Sequence, residues 1–415
     1  MIYYPLKRLK NCLSIPLTYG LNEPAVEDNP EWPRYIRITD FDDNDCLRDE
    51  TFKSLHPKIA EAGILKKGDI LLARSGATVG KAFHFNDDIK ACYAGYLIRA
   101  RFNVKTIIPK FFSYITKSVF YSDWKNHINI QATIQNISAE KYYQFEFPCP
   151  QLNIQQRIVD YLDEKTKAID TRISVLEKKS EAYKRLKASV INRAVTRGLN
   201  SDVTLKDSGI EWIGMIPEHW EVIEIKAYCK KIFAGATPST KINEYWDGEI
   251  PWLPSGSCHN CIIHDYHHTI TEQGLKNSST KLVKANTTLM AMTGATCSNV
   301  GYLTFESCTN QSVCAYIENT NICYSKYLFY MLQAAKGYIL TFQTGGAQAG
   351  INIQDCSLLK VPKVPLSEQQ SIANYLDTKC SEIDKLIDYI VKQIDALKRL
   401  KRSLINEVVT GKRKV

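Results

Sequence analysis

No apolar run in the 415 residues approaches the roughly 20 that a bilayer-spanning helix needs, which speaks against membrane insertion. The chain also lacks Gly-x-Ser-x-Gly, His-Glu-x-x-His and a full Walker motif, so an enzyme reading has no residues to stand on. Asn29-Pro30-Glu31-Trp32 is missing the second proline and the aromatic of an amino-methyltransferase loop. The 13 cysteines are odd in number, follow no disulfide framework and have no signal peptide before them, so reduced thiols in a cytoplasm are expected. Lys and Arg outnumber Asp and Glu by 53 to 44, and the formal charge of +9 favours a polyanionic partner only mildly.

What the sequence does hold is one unit written twice. About half of residues 155–197 recur in 369–411 at a constant shift of about 214 positions, with no insertion. Gln155-Gln156-Arg157-Ile158-Val159-Asp160-Tyr161-Leu162-Asp163 returns as Gln369-Gln370-Ser371-Ile372-Ala373-Asn374-Tyr375-Leu376-Asp377, and Lys184-Arg185-Leu186-Lys187 as Lys398-Arg399-Leu400-Lys401. Leu162, Ile169, Leu176, Tyr183 and Val190 fall seven apart with Ile173 between them. In the second copy Leu376, Ile383, Ile390, Leu397 and Leu404 do the same, with Ile387 and Ile394 between. This spacing predicts two helices of roughly 40 residues with a coiled-coil seam, each about 60 Å long. Pro148, Pro150, Pro362 and Pro365 mark the starts, and Gly198 and Gly411 the exits. A solvated strut or a homodimer zipper is the plainer alternative. Because both copies lie in one chain, an intramolecular antiparallel pair with a globular segment at each end is more economical.

The expected organisation is therefore mixed α/β: a first globular domain at 1–149, a helical spacer at 150–200, a second globular domain at 201–363 and a second spacer at 364–415. Apolar runs at 35–39, 69–73, 96–100 and 288–292 predict strands, and 109–119 and 325–335 predict helices. The two globular segments share Leu71-Leu72-Ala73-Arg74-Ser75-Gly76-Ala77-Thr78 with Leu289-Met290-Ala291-Met292-Thr293-Gly294-Ala295-Thr296, and Gln131-Ala132-Thr133-Ile134 with Gln348-Ala349-Gly350-Ile351. Elsewhere they differ widely, as expected if constant helices serve a shared partner and unlike heads each read something different.

Gly76-Ala77-Thr78-Val79-Gly80-Lys81 falls short of a phosphate-binding loop, since only three residues separate the glycines and Ala82 stands where Ser or Thr would hold magnesium. It predicts a tight turn after a strand, one that presents Thr78 and Lys81. Cys258, Cys261, His264 and His267 recur every third residue, a spacing poorly suited to tetrahedral zinc, and no metal is expected. For nucleic-acid contact the candidates are Arg34, Arg37, Arg74, Thr78, Lys81, Arg99, Arg101, Gln131 and Gln135 in the first head, with Asn136 nearby. In the second they are Lys241, Lys281, Thr293, Gln343, Thr344, Gln348 and Asn352, with Lys276 and Lys284 beside them. Arg, Gln and Asn can read base edges in pairs of hydrogen bonds, whereas Lys and hydroxyls more often hold phosphates.

Asp207-Ser208-Gly209-Ile210-Glu211-Trp212-Ile213-Gly214-Met215-Ile216-Pro217-Glu218-His219-Trp220 closely resembles the lead-in to a recognition domain of Type I restriction-modification specificity subunits. Gly235-Ala236-Thr237-Pro238, Tyr245-Trp246 and Gly248-Glu249-Ile250-Pro251-Trp252 look like the stretch that follows, and the Gln-Gln-x-Ile helices resemble that family's two conserved regions. The first half departs from the pattern: it starts almost directly at Leu6-Lys7-Arg8, and Pro24-Ala25-Val26 replaces the Gly-x-Thr-Pro segment.

The resemblance implies a DNA-binding subunit, in a prokaryotic cytoplasm, that is not itself a catalyst and binds no cofactor. Two methyltransferase subunits using S-adenosylmethionine would dock on the helices, and two motor-nuclease subunits using ATP and magnesium would complete the assembly. Each head would read one half of a split, asymmetric site in double-stranded DNA, with half-site centres about 34 Å apart. A coiled-coil adaptor whose heads bind proteins, and a fragment of a fused restriction-methylation enzyme, are the alternatives.

Overall fold

The computed structural model describes residues 4–76, 78–130, 136–346 and 349–415. The chain divides into two compact units, Met1–Glu177 with Val391–Val415, and Lys178–Ile390. Each unit holds one head, part of one long helix and the complementary part of the other. The long helices are Leu152–Arg197, of 46 residues, and Leu366–Val409, of 44. Neither carries an internal Gly or Pro, and both stop at a glycine in the left-handed region, Gly198 at φ 71° and Gly411 at φ 77°.

The pairing of these helices is antiparallel within each unit. In the first, Ile158, Val159 and Leu162 share a core with Leu404, Ile405, Val408 and Val409. In the second, Ile191, Ala194 and Val195 share one with Ile372, Ala373, Leu376 and Cys380. Lys401 Nζ meets Asp170 at 2.7 Å, and Lys187 Nζ meets Asp384 at 2.7 Å. These are the same ion pair with the two copies exchanged, so each unit repeats the internal pairing of the other. Along the expected seam, Leu162, Ile173, Leu376, Ile383, Ile390, Ile394 and Leu404 are buried; Ile169, Leu176, Tyr183, Val190, Ile387 and Leu397 are half-buried. The seven-residue spacing thus found its partner inside the chain.

Both heads are built on one strand frame. In the first, an antiparallel sheet runs Thr18–Tyr19, Leu97–Ala100, Ile70–Ala73, Ala82–His84; in the second it runs Cys229–Ala234, Val313–Glu318, Thr288–Ala291, Val300–Leu303. Ile70–Ala73 and Thr288–Ala291 are buried throughout, as continuous apolar runs in a central strand should be. Each frame is accompanied by a parallel pairing, Arg34–Ile36 with Ala91–Tyr93 and Trp246–Leu253 with Cys308–Thr309. An antiparallel pair closes each head next to a long helix, Leu6–Arg8 with Glu146–Pro148 and Glu221–Glu224 with Lys360–Lys363. Beyond this frame the heads diverge. Cys261–Ile263 adds a parallel edge strand, and His268–Ile270 another pairing, in the second head. Among the described residues only that head is preceded by a hairpin, Leu205–Asp207 with Met215–Pro217.

Three local expectations change. The helix expected over 109–119 is two helices, Pro109–Thr116 and Val119–Ile130, because Ser118 Oγ donates back to Ile115 O at 2.6 Å and accepts from Tyr121 N at 3.3 Å. The strand expected over 35–39 ends at Ile36, since the Asp40 carboxylate draws in the backbone N–H of Arg37 at 2.8 Å and closes a turn. Finally, Pro24-Ala25-Val26 does not stand in for the Gly-x-Thr-Pro segment. Gly20 does: its N–H donates to Leu97 O at 3.1 Å as that of Gly235 does to Val313 O at 3.2 Å. A Cβ would lie 2.3 Å from Ala94 O at the first and 2.0 Å from Thr309 O at the second, so the close crossing of backbones excludes any side chain.

Candidate nucleic-acid interface

How each head is held is written in the repeated residues. Gln155 is buried; its Oε1 accepts from Ile108 N at 2.9 Å, and its amide nitrogen donates to Pro150 O at 2.8 Å and Thr106 O at 3.3 Å. Gln369 repeats the set with Tyr324 N at 2.8 Å, Val364 O at 2.7 Å and Ile322 O at 2.9 Å. Each amide satisfies backbone groups that no sheet or helix would otherwise pair, including the N–H just ahead of a head helix. Eight positions on, Asp163 takes Lys110 at 2.7 Å and the phenol of Tyr114 at 2.5 Å; Asp377 takes Lys326 at 2.6 Å and Tyr330 at 2.7 Å. Burial first, and then the carboxylate that accepts from it, push the phenols of Tyr114 and Tyr330 above the usual tyrosine range and keep them protonated donors. Sequence reasoning missed these anchors. Their signal was a Lys and a Tyr four apart in both heads, on one face of a helix.

The shared Ser/Thr-Gly turn lies at the end of the central strand. Ser75 bridges to Asn136 and Thr293 to Gly350, and Gly76 and Gly294 sit at φ 84° and 64° with no atom within 4 Å of where a Cβ would be. An open glycine turn lets a polymer backbone approach closely. The partner strand corrects the sequence match: Ile137 N donates to Arg74 O, and Ile351 N to Met292 O, both at 2.8 Å. Ile351 therefore corresponds to Ile137, not to Ile134. A match at three of four residues was outweighed by main-chain pairing three residues further on. Ser138 and Asn352 follow as helix N-caps, so the Asn352 amide is engaged with Asp355 N and Oδ2 at 2.8 Å each. Thr344 exchanges backbone bonds with Gly350 at 2.9 Å, and the Gln343 side chain donates to Ala349 O at 3.0 Å. Gln131, Gln135 and Gln348 lie outside the described residues.

The arginines behave differently from a free basic surface. Arg101 forms a two-pronged pair with Asp69 at 2.7 and 2.6 Å, and Arg37 another with Asp40 at 2.9 and 2.8 Å. Buried Arg34 bonds to Arg48 O and to Asp49 at 3.3 Å. These three guanidinium groups are each paired with a carboxylate of the same head. Arg74 lies over the Tyr19 ring at 4.8 Å; Arg99 lies over Tyr93 at 5.7 Å and donates to Ile64 O at 3.3 Å. Thr78, Lys241 and Lys281 are exposed, the last over the Phe233 ring at 5.1 Å. Lys81 is half-buried, donating to Phe41 O at 2.6 Å beside Asp43 at 3.8 Å, in a turn rather than a nucleotide loop.

The Cys-His run is pulled apart by the sheet. Burial pushes the Cys258 thiol up to about 12 and Cys261 begins an edge strand, while His264 and His267 are exposed. Among the described residues no three His, Cys, Asp or Glu side chains converge as metal ligands would, and no helix is long and apolar enough to cross a membrane.

Residues 26–178 and 217–399 match the family described as Type I restriction modification DNA specificity domain. A Methanocaldococcus jannaschii protein assigned as the MjaX type I restriction enzyme specificity subunit is 25% identical over 354 residues, covering 84% of this chain and 79% of that one. The EcoR124I/EcoR124II specificity subunit of Escherichia coli is 25% identical over 275 residues, covering 63% of this chain and 61% of its own. Among solved structures, a chain from a study of complex assembly and conformational transition of the type I R-M system superposes with a TM-score of 0.76 at 15% identity, covering 99% of this chain and 98% of that one. The HsdS subunit from Thermoanaerobacter tengcongensis gives 0.53 at 15% identity, over 99% and 97%. Those two likenesses concern the fold. The family match takes in both heads and most of both helices, and the chain belongs to the Type I restriction modification DNA specificity family.

Proposed function

We propose that this chain is the DNA-recognition subunit of a Type I restriction-modification complex and carries no catalytic residues of its own. Residues 1–149 and 201–363 each read one half of a bipartite, asymmetric site in double-stranded DNA, and the two long helices set the unread spacer between the halves. The observation that supports this most is the contrast within the heads: a common strand frame is anchored to equivalent helix residues, Gln155 and Gln369, Asp163 and Asp377, while the added strands and loops differ. Common anchorage with unlike surfaces suits two readers of unlike sequence.

The helices would dock two methyltransferase subunits. Val175 and Tyr389, and Leu186 and Leu400, occupy equivalent positions of the two copies and are all exposed, which suits two copies of one partner. S-adenosylmethionine would be held by those subunits, and ATP and magnesium by two motor-nuclease subunits of the full complex. Mapping methylated adenines genome-wide in the source organism, with and without this gene, tests the reading: a split motif should disappear with the gene, and an unchanged methylation pattern would refute it.

A further inference from the structure

Beside the turn of the first head lies a cleft of about 510 Å³, lined within one unit by Lys81, Lys117, Lys125, Lys398, Lys401 and Arg402. Asp43 is the one acidic residue on its lining, and exposed Thr78 stands at its rim. Some of this charge is already used: Lys117 pairs with Asp45, Lys401 with Asp170 and Lys81 with Asp43. Lys398 and Arg402 are exposed on one face of the second long helix, four apart, and Lys125 is half-buried against the turn, where a Cβ on Gly80 would meet its Cδ at 2.3 Å. These three line the same cleft.

The second unit reproduces only part of this charge. Asn299 takes the place of Lys81, as the bonds of Ala73 N to Lys81 O and Ala291 N to Asn299 O establish. Ala188 stands at the position of Arg402 in the helix repeat, and Gln333, in the last turn of its head helix, at that of Lys117, which follows its own. A different cleft of the second unit, which shares only the positions of Lys401 and Lys117 with the first, is lined by Lys187, Lys326, Lys385 and Gln333 together with Asp377, Asp384 and Asp388. Lys81, Lys117 and Arg402 are thus particular to the first unit, while Lys398 and Lys401 belong to the repeat and recur as Lys184 and Lys187.

We propose that this cleft is a phosphate-backbone clamp that takes DNA strand phosphates alongside the first half-site. The proposal rests on the DNA-recognition reading. Ammonium and guanidinium groups hold phosphates without reading sequence, so the clamp adds affinity and register to the first half only. The test is the slope of log binding constant against log salt for the full chain on a 30-base-pair duplex. Each phosphate contact contributes about 0.9 to that slope. The triple variant Lys125→Gln, Lys398→Ala, Arg402→Ala, which retains most of the Lys125 stem, should lower the slope by about 2 to 3, with its melting temperature unchanged. Removing the exposed lysines Lys58, Lys90 and Lys105 should lower it by less than 1. An unchanged slope in the first triple, or an equal drop in the second, overturns the clamp while leaving DNA recognition standing. A flat salt response in the unsubstituted chain overturns the DNA reading itself.

Discussion

The contacts that fix each head to its helix are single side chains with strict chemical demands. Tyr114 and Tyr330 donate to carboxylates from buried sites, so replacing either by Phe should cost about 1–2 kcal/mol in urea unfolding of the full chain. A loss below about 0.3 kcal/mol would mean that the phenol–carboxylate bond does not anchor the head. His84 supplies a pH effect. Burial, the largest influence, lowers its pKa, as do Lys110 and Lys117, against the opposing pull of Asp45 and Asp163. With the folded pKa below the ordinary 6.5, the unfolded chain binds more protons as pH falls through that value. Stability should therefore decline on acidification from about pH 7 towards pH 5, and His84→Gln should flatten that decline. An identical profile in the variant would rule His84 out as its source. Little of this was legible in the sequence. Arg34, Arg37 and Arg101 read as a basic surface because their acidic partners Asp49, Asp40 and Asp69 are brought in by the fold, and residue type alone does not say which arginines are already paired.

The long helices were the most legible elements, because a seven-residue apolar repeat written twice specifies a helix, its buried face and its partner together. Short segments were harder. The match of 131–134 with 348–351 misplaced the partner of the turn, and the pairing of Ile137 with Arg74 corrected it. Gly20 was passed over because one glycine carries no pattern, although the backbone crossing demands it. Gly235→Ala places a Cβ 2.0 Å from Thr309 O and should destabilise the second head by about 1–3 kcal/mol or more, whereas Gly256→Ala, in open space, should be nearly neutral. Thermal melting of the two variants separates these outcomes; equal melting temperatures would show that the crossing relaxes without cost. The buried amides offer a parallel test. Gln369→Leu leaves Tyr324 N, Ile322 O and Val364 O without their partner and should cost about 2–3 kcal/mol. Hydrogen exchange at the Tyr324 amide should quicken in the same variant, and unchanged protection there would remove Gln369 from the anchor.

At the scale of the molecule, one duplicated plan carries two different surfaces. The ion pairs Lys401–Asp170 and Lys187–Asp384 repeat across the copies, so the helix pairing is common to both units. This makes the spacer and the half-sites separable quantities. Inserting four residues within 178–187 adds about 6 Å of helix and should lengthen the unread spacer by one or two base pairs while leaving both half-sites unchanged. A new half-site sequence with the old spacer would contradict a spacing role for the helices. The family and the two-headed plan could be read from sequence, but the bases each head contacts could not, because readout depends on loops outside the shared frame. Independence of the heads is tested most directly by replacing 201–363 with the corresponding head of a relative and sequencing methylated sites in the chimera's host. One half of the methylated motif should change while the other half and the spacer stay fixed; a change in both halves, or in neither, would contradict two independent readers on a common helical spacer.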